Sequence, residues 1–305
     1  MVNVLSYVCL LLPLRLCMFS LHTLPSDPCE PKKELDPRNL RADHITVLIN
    51  GYSESRIPLL QTIAATYSAS SLVSSVLPTW LVISPRSSFG LATISLVRQP
   101  SSSLNDRFLP RSSIGTQAVL ICNDDVEVDP KSFNFAFQIW RLNPDRLIGL
   151  FVRFHDLDLL ARKWIYTVHP DKYSIVLTKF MILKSQYLFE YSRQGGSNMS
   201  KMRGIIDQMQ NCEDILMNFV VADKANAGPI LVEAKKDGTE RSVRAVGLSS
   251  RREEHRKRRG DYIREFHNLL GRMPLRYSFG KVVNSVGEQG LCMKGDKLVF
   301  CDQYQ

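Results

Sequence analysis

Two apolar, β-branched runs set the architecture of this chain. HITVLINGY (His44 to Tyr52) closes on Asn50 and Gly51, and AVLICNDD (Ala118 to Asp125) closes on Asn123, Asp124 and Asp125. Short continuous runs of this kind fit strands buried on both faces. Each is followed by helical spacing. After the first, Ile57, Leu60, Ile63, Ala64 and Tyr67 recur on one face, with Pro58 in the opening turn; after the second, Phe133, Phe137 and Trp140 do so until Asn143 and Pro144 end the pattern. Strand followed by helix, repeated, predicts an α/β fold with a mainly parallel sheet and helices on both faces. Such sheets bind ligands at the carboxyl ends of their strands, where both runs terminate. ATISLVRQP is a further strand candidate, and Tyr173 to Leu183 (YSIVLTKFMIL) reads as another. Asn211 to Ala225 reads as an amphipathic helix with acids in its first turn, and a later helical pattern stops near Pro274.

The chain of 305 residues is long enough for one large domain, and its first 43 residues differ from the rest. Val4 to Leu24 is almost wholly apolar, broken only by Pro13 and Arg15, so residues 1–24 are expected to be a signal peptide or signal anchor. The other reading is a buried helix of the domain. Residues 25–43 are rich in proline and charge and read as a stem, which leaves 44–305 as the folded domain. An anchor would put that domain in a secretory lumen, where Asn198 in the triplet Asn198, Met199, Ser200 is a glycosylation acceptor and disulfides are permitted. The seven cysteines have no metal-ligand spacing, but Cys292 and Cys301 flank a short loop that a disulfide would close. A sizeable part of the net charge of +9 sits in one run, residues 249–265. No aromatic residues interleave with its basic core, so nucleic-acid binding is not expected.

Asp124, Asp125, Glu127 and Asp129 then pose an electrostatic problem. Four unpaired anions cannot all be buried, because desolvation costs several kcal/mol each. Carboxylates suit magnesium or manganese, and a divalent ion beside a diphosphate neutralises both partners. The plainer reading is a solvated turn in which Asp129 and Pro130 open the next helix. Spacing alone does not separate the two.

The segment from Arg107 (RFLPRSSIGTQAVLICNDDVEVDP…LNPDRLIGLFVR), with KYSIVLT, NCEDILMNF and MPLRYS in that order, resembles the catalytic domain of the exostosin and exostosin-like glycosyltransferases, glycosyltransferase family 64, and most closely its short plant members. The resemblance runs from Ile45 to about Ser278. It implies a GT-A fold, a Rossmann-like nucleotide-binding half joined to an acceptor-binding half. It also implies a Golgi type II membrane enzyme that uses Mn2+ and transfers a hexose or hexosamine, with retention, from a UDP- or GDP-sugar to a glycan or glycolipid.

By position, Asn123, Asp124 and Asp125 match the family's acidic motif, with Asp125 the metal ligand and the other two beside the donor. Asn123 departs from the usual acid, keeping hydrogen bonding and losing charge. Arg107 matches a donor-holding arginine and Arg259 one that meets the donor phosphates; Asp214 matches the catalytic carboxylate, with Glu213 before it placed to contact acceptor or donor hydroxyls. Asn50 reads as a nucleoside contact. Two further departures follow from the resemblance. A cysteine that pairs with the one at Cys212 falls at Tyr262, and a Trp and Asn pair is replaced by Trp80 and Leu81 in a shortened segment up to Thr93. These departures also admit a non-catalytic scaffold that keeps the fold.

Overall fold

The computed structural model describes residues 39–51, 54–80, 91–192, 196–233, 252–284 and 291–300. The expected anchor, the stem up to residue 38, the segment 81–90 and Cys301, and with it the proposed disulfide, lie outside them. Among the described residues no helix is long and apolar enough to cross a membrane.

The chain opens with β1 (Arg41–Asn50), a 3-10 turn (Glu54–Arg56), α1 (Ile57–Ser68) and β2 (Val73–Trp80), and β2 lies parallel to β1. Two short strands, β3 (Thr93–Ile94) and β4 (Val97–Arg98), extend β2 on its outer side, where a single strand was expected. A second 3-10 turn (Leu104–Phe108) leads into β5 (Thr116–Asn123), which pairs with the other side of β1, and then into α2 (Pro130–Leu142). Next come β6 (Ile148–Gly149), β7 (Val152–Asp158), β8 (Lys163–Thr167), β9 (Lys172–Tyr173), β10 (Ile175–Val176) and β11 (Phe180–Lys184). The remainder is α3 (Gln186–Ser192), α4 (Gly196–Met209), α5 (Glu213–Ala225), β12 (Ile230–Glu233), α6 (Arg252–Leu270), β13 (Ser278–Phe279), β14 (Val282–Val283) and the hairpin β15 (Leu291–Lys294) and β16 (Lys297–Phe300).

The large sheet runs β14-β12-β6-β11-β5-β1-β2-β3, with β4 also on β2. It is parallel throughout except for β11, which is antiparallel to both β5 and β6. The expected mainly parallel α/β architecture is therefore present. Because the chain leaves β1 on one side for β2 and returns on the other for β5, the strand order reverses at β1, the place where such sheets open a crevice. Register sets the edge: Asn50 stands opposite both Thr79 and Asn123, so the carboxyl ends of β2, β1 and β5 finish level.

The strands alternate between two cores, as a doubly covered sheet requires. Ile45, Val47, Ile49, Leu120 and Ile182 pack with α1 and α2; Leu48, Val119, Ile121, Met181 and Leu183 pack with α3 to α6. In α2, Phe133, Phe137 and Trp140 are buried as their spacing predicts, and Asn143 follows the last turn. Two expectations change. Tyr173 to Leu183 is not one strand but is divided among β9, β10 and β11, because β10 pairs with β7 in a small sheet while β11 enters the large one. The helix starting at Asn211 was expected to be amphipathic, yet α5 is buried without interruption from Glu213 to Ala222, since α3, α4 and β10 pack around it.

The hairpin of β7 and β8 carries α6, and the contact is close. A Cβ built on Gly260 would stand 2.4 Å from the carbonyl oxygen of Trp164. On the same hairpin His155 is buried, shares a 2.6 Å hydrogen bond between Nδ1 and the Ser174 hydroxyl, and is pushed by burial from 6.5 to about 4. Gly260→Ala is expected to cost about 1–3 kcal/mol through displacement of α6, read as a lower midpoint in urea. A second measurement concerns pH. Between about 4 and 6.5 the unfolded chain binds a proton that folded His155 refuses, so stability falls as pH drops through that window. Urea titrations across it are expected to show a loss of a few kcal/mol in the wild type and a flatter profile in His155→Gln, which retains an acceptor for Ser174.

Candidate active site

β5 delivers its acids at the level edge. Asp124 is 0% exposed, and its backbone N–H donates to Asn50 O at 3.2 Å, continuing the strand pairing one residue past β5. A carboxylate this deep needs a cation, and Arg56, at the end of the turn before α1, provides it. Its Nη1 lies 3.1 Å from Asp124 Oδ1 and 3.4 Å from Asp125 Oδ2. Asp125 Oδ1 is buried with no hydrogen-bond donor. The other two acids of the run serve elsewhere: Glu127 is exposed, and Asp129 caps α2 by accepting the Ser132 N–H at 2.9 Å. Asn123 ends β5 partly buried. Asn50 is a brace. Its Nδ2 donates to Cys122 O at 3.3 Å and its Oδ1 accepts the Thr79 hydroxyl at 3.0 Å, which ties the ends of β1, β2 and β5 together.

The remaining predicted residues converge on the start of α5. Cys212 adopts the left-handed conformation (φ 74°) just before the helix, turning Glu213 and Asp214 into the first turn. Asn218 fixes that helix to the neighbouring strand, accepting the Val176 N–H at 2.9 Å and donating to Val176 O at 2.8 Å. Arg107, in the turn before β5, pairs with Glu213 at 2.8 Å and donates to the Thr178 hydroxyl at 2.8 Å. Thr178 precedes Phe180, the β11 partner of Cys122, so this pair stands at the same edge as the acids of β5. Burial raises the Glu213 pKa, with Arg107 opposing the rise. Arg259, on α6, closes a salt bridge to Asp214, donates to Asn211 Oδ1 at 3.1 Å and lies 4.6 Å above the Tyr166 ring. Its Nε is buried without an acceptor. Cys212 is free and buried, which pushes its thiol well above the usual range, and Tyr262, where the resemblance puts a partner cysteine, is buried too.

Among the described residues three carboxylate and guanidinium couples thus share one edge of the sheet, and two buried atoms remain unsatisfied there: an acceptor on Asp125 and a donor on Arg259. A buried oxygen with no donor fits a cation, and a guanidinium N–H with no acceptor fits an anionic oxygen. Among the described residues no three His, Cys, Asp or Glu come together to hold a metal. A divalent ion at Asp125 therefore fits as one shared with ligand oxygens and water, not as one caged by protein. Asn198, the predicted glycan acceptor, lies in α4 and not in a loop, with its Nδ2 donating to Leu269 O at 2.8 Å.

Comparison with known proteins decides the family. Residues 45–287 match the glycosyl transferase family 64 domain. The chain belongs to glycosyltransferase family 64. Glycosyltransferase family protein 64 C3 of Arabidopsis thaliana is 61% identical over 299 residues, 91% of each chain. Exostosin-1c of Danio rerio is 34% identical over 189 residues, and Exostosin-1 of Mus musculus is 33% identical over 188; both alignments cover 61% of this chain but only 25% of the exostosin. The expected family and transferase class are thereby met.

Sequence reading of this family 64 protein did not find Arg56, Thr178, Asn211 or Tyr166. Arg56 had one signal, a basic residue in the loop after the first strand at the reversal of strand order. The other three are ordinary residues whose roles exist only through partners distant in the chain. Arg56→Ala should remove the ion pair to buried Asp124 and lower stability by about 2 kcal/mol. Adding Asp124→Asn should recover part of that loss, measured as a coupling energy in a double-mutant cycle from urea denaturation.

Proposed function

We propose that this transferase has the GT-A fold and moves a hexose or hexosamine, with retention of configuration, from a UDP- or GDP-sugar to a glycan or glycolipid acceptor. The reading is carried by the pair of unsatisfied buried atoms at one sheet edge, Asp125 Oδ1 for a cation and Arg259 Nε for an anion. Asp125 would hold manganese together with the donor diphosphate. The ion, when bound, supplies Lewis-acid neutralisation of the negative charge on the leaving nucleotide. Asn50, Asn123 and Asp124 face the nucleoside side and would accept or donate hydrogen bonds to its hydroxyls. Arg107 and Arg259 meet the diphosphate with guanidinium groups already positioned by Glu213 and Asp214, so little reorganisation is needed as charge develops on the leaving oxygen. Asp214, buried at the first turn of α5, opposes the positive charge that develops at the anomeric carbon, and Glu213 beside it contacts donor hydroxyls. In this reading residues 1–24 anchor the protein in the Golgi membrane as a single-pass type II chain with its catalytic domain lumenal.

The test uses a panel of UDP- and GDP-sugars with and without Mn2+, following release of the nucleotide diphosphate. Asp125→Ala and Asp214→Ala are each expected to lower turnover by at least 100-fold, on the order of 3 kcal/mol of lost transition-state stabilisation. Asn123→Asp, which restores the family's acid, should lower the manganese concentration needed for half-maximal rate. Turnover unchanged in both alanine variants would overturn the site assignment.

A further inference from the structure

The hairpin of β7 and β8 has two dissimilar ends. At its base Tyr166 lies under Arg259, and His155 faces Tyr166 across the ladder, so the base forms a wall of the candidate site. At its tip Leu159 is 77% exposed and Leu160 is 99% exposed, with Leu157 and Ile165 half-exposed behind them. The turn that presents them is built. The Asp158 carboxylate accepts the backbone N–H groups of Leu160 at 3.0 Å and Ala161 at 2.9 Å, and Arg162 takes the left-handed conformation (φ 49°) that closes the turn. Two adjacent leucines held outward in this way add nothing to either core. Arg162 and Lys163 follow them after Ala161 and are exposed.

We propose that this tip is a second, peripheral membrane contact, with Leu159 and Leu160 entering the acyl boundary of a leaflet that carries anionic lipid and Arg162 and Lys163 at its headgroup phosphates. Area and charge choose the occupant. The tip offers roughly a few hundred Å² of apolar surface, short of the ~800 Å² per partner of a specific protein interface. Basic residues next to inserted leucines match anionic headgroup phosphates, here those of the lumenal leaflet to which the proposed topology gives access. At ~3.3 Å per strand residue, the four steps from His155, opposite Tyr166, to Leu159 put the tip about 13 Å from Tyr166, so insertion would hold the candidate site at about that distance from the leaflet. The proposal does not depend on which sugar is transferred, or on whether any is.

The full chain is reconstituted into phosphatidylcholine vesicles with and without phosphatidylserine, and Leu160→Trp reports from the tip as a difference from the three native tryptophans. An anchor at the N-terminus does not move this signal. The expected result is a blue-shifted emission from position 160 that lipids brominated near the headgroup end of the acyl chain quench. Quenching should deepen with phosphatidylserine, and that dependence should be lost in Leu160→Trp carrying Arg162→Glu and Lys163→Glu, with the circular dichroism spectrum unchanged. Emission typical of water and indifferent to brominated lipid would overturn the proposal. A blue shift that grows with protein concentration in the absence of vesicles would overturn it in favour of a second copy of the chain.

Discussion

Arg259 reaches from α6 to the first turn of α5 and holds Asp214, and the arrangement around the site follows from the same need to keep buried charge compensated. Each couple joins segments remote in the chain: Arg259 and Asp214 are 45 residues apart, and Arg56 and Asp124 are 68 apart. Burying such groups costs several kcal/mol per ion unless geometry and further hydrogen bonds offset it. Here the further bonds exist: Asn211 takes a second N–H of Arg259, and Thr178 takes one from Arg107. In the proposed reaction the gain would be less in stability than in preorganisation, because guanidinium groups held in a water-poor edge would be ready for a developing negative charge.

The edge itself depends on register. Asn50 stands opposite Thr79 and Asn123, and its carboxamide ties the three strand ends together. A slip of one residue would turn Asp124 and Asp125 to the opposite faces of the sheet, exchanging a site for buried charge in one of the two cores. The acid run after β5 combines different tasks. Asp124 and Asp125 face Arg56, Glu127 is solvated and Asp129 caps α2, so the solvated-turn reading of that run holds for its second half.

Legibility followed periodicity. Leu60, Ile63, Ala64 and Tyr67, and Phe133, Phe137 and Trp140, are buried where their spacing put them, because a helix on a sheet exposes one stripe to it. Spacing failed where a segment has neighbours on more than one side. α5 is buried all round, and the apolar run from Tyr173 divides between two sheets, since an apolar run does not state which sheet it joins. The site was read residue by residue from a resemblance, and the arginine that meets both acids of β5 was not among those read, because an arginine in a loop is unremarkable until its neighbours are known.

By itself the sequence determined the alternation of strand and helix, the run of acids at the end of a buried strand and, through its ordered motifs, membership of glycosyltransferase family 64. These properties are local or linear, and hydrophobic period and motif order carry them. The tertiary structure alone decided which charges meet, that Asn50 braces the sheet edge, and that the hairpin walling the site ends in two solvent-facing leucines. Each of these is set by contact between segments far apart in the chain, and an amino-acid string has no term for desolvation or register until the fold supplies the neighbour.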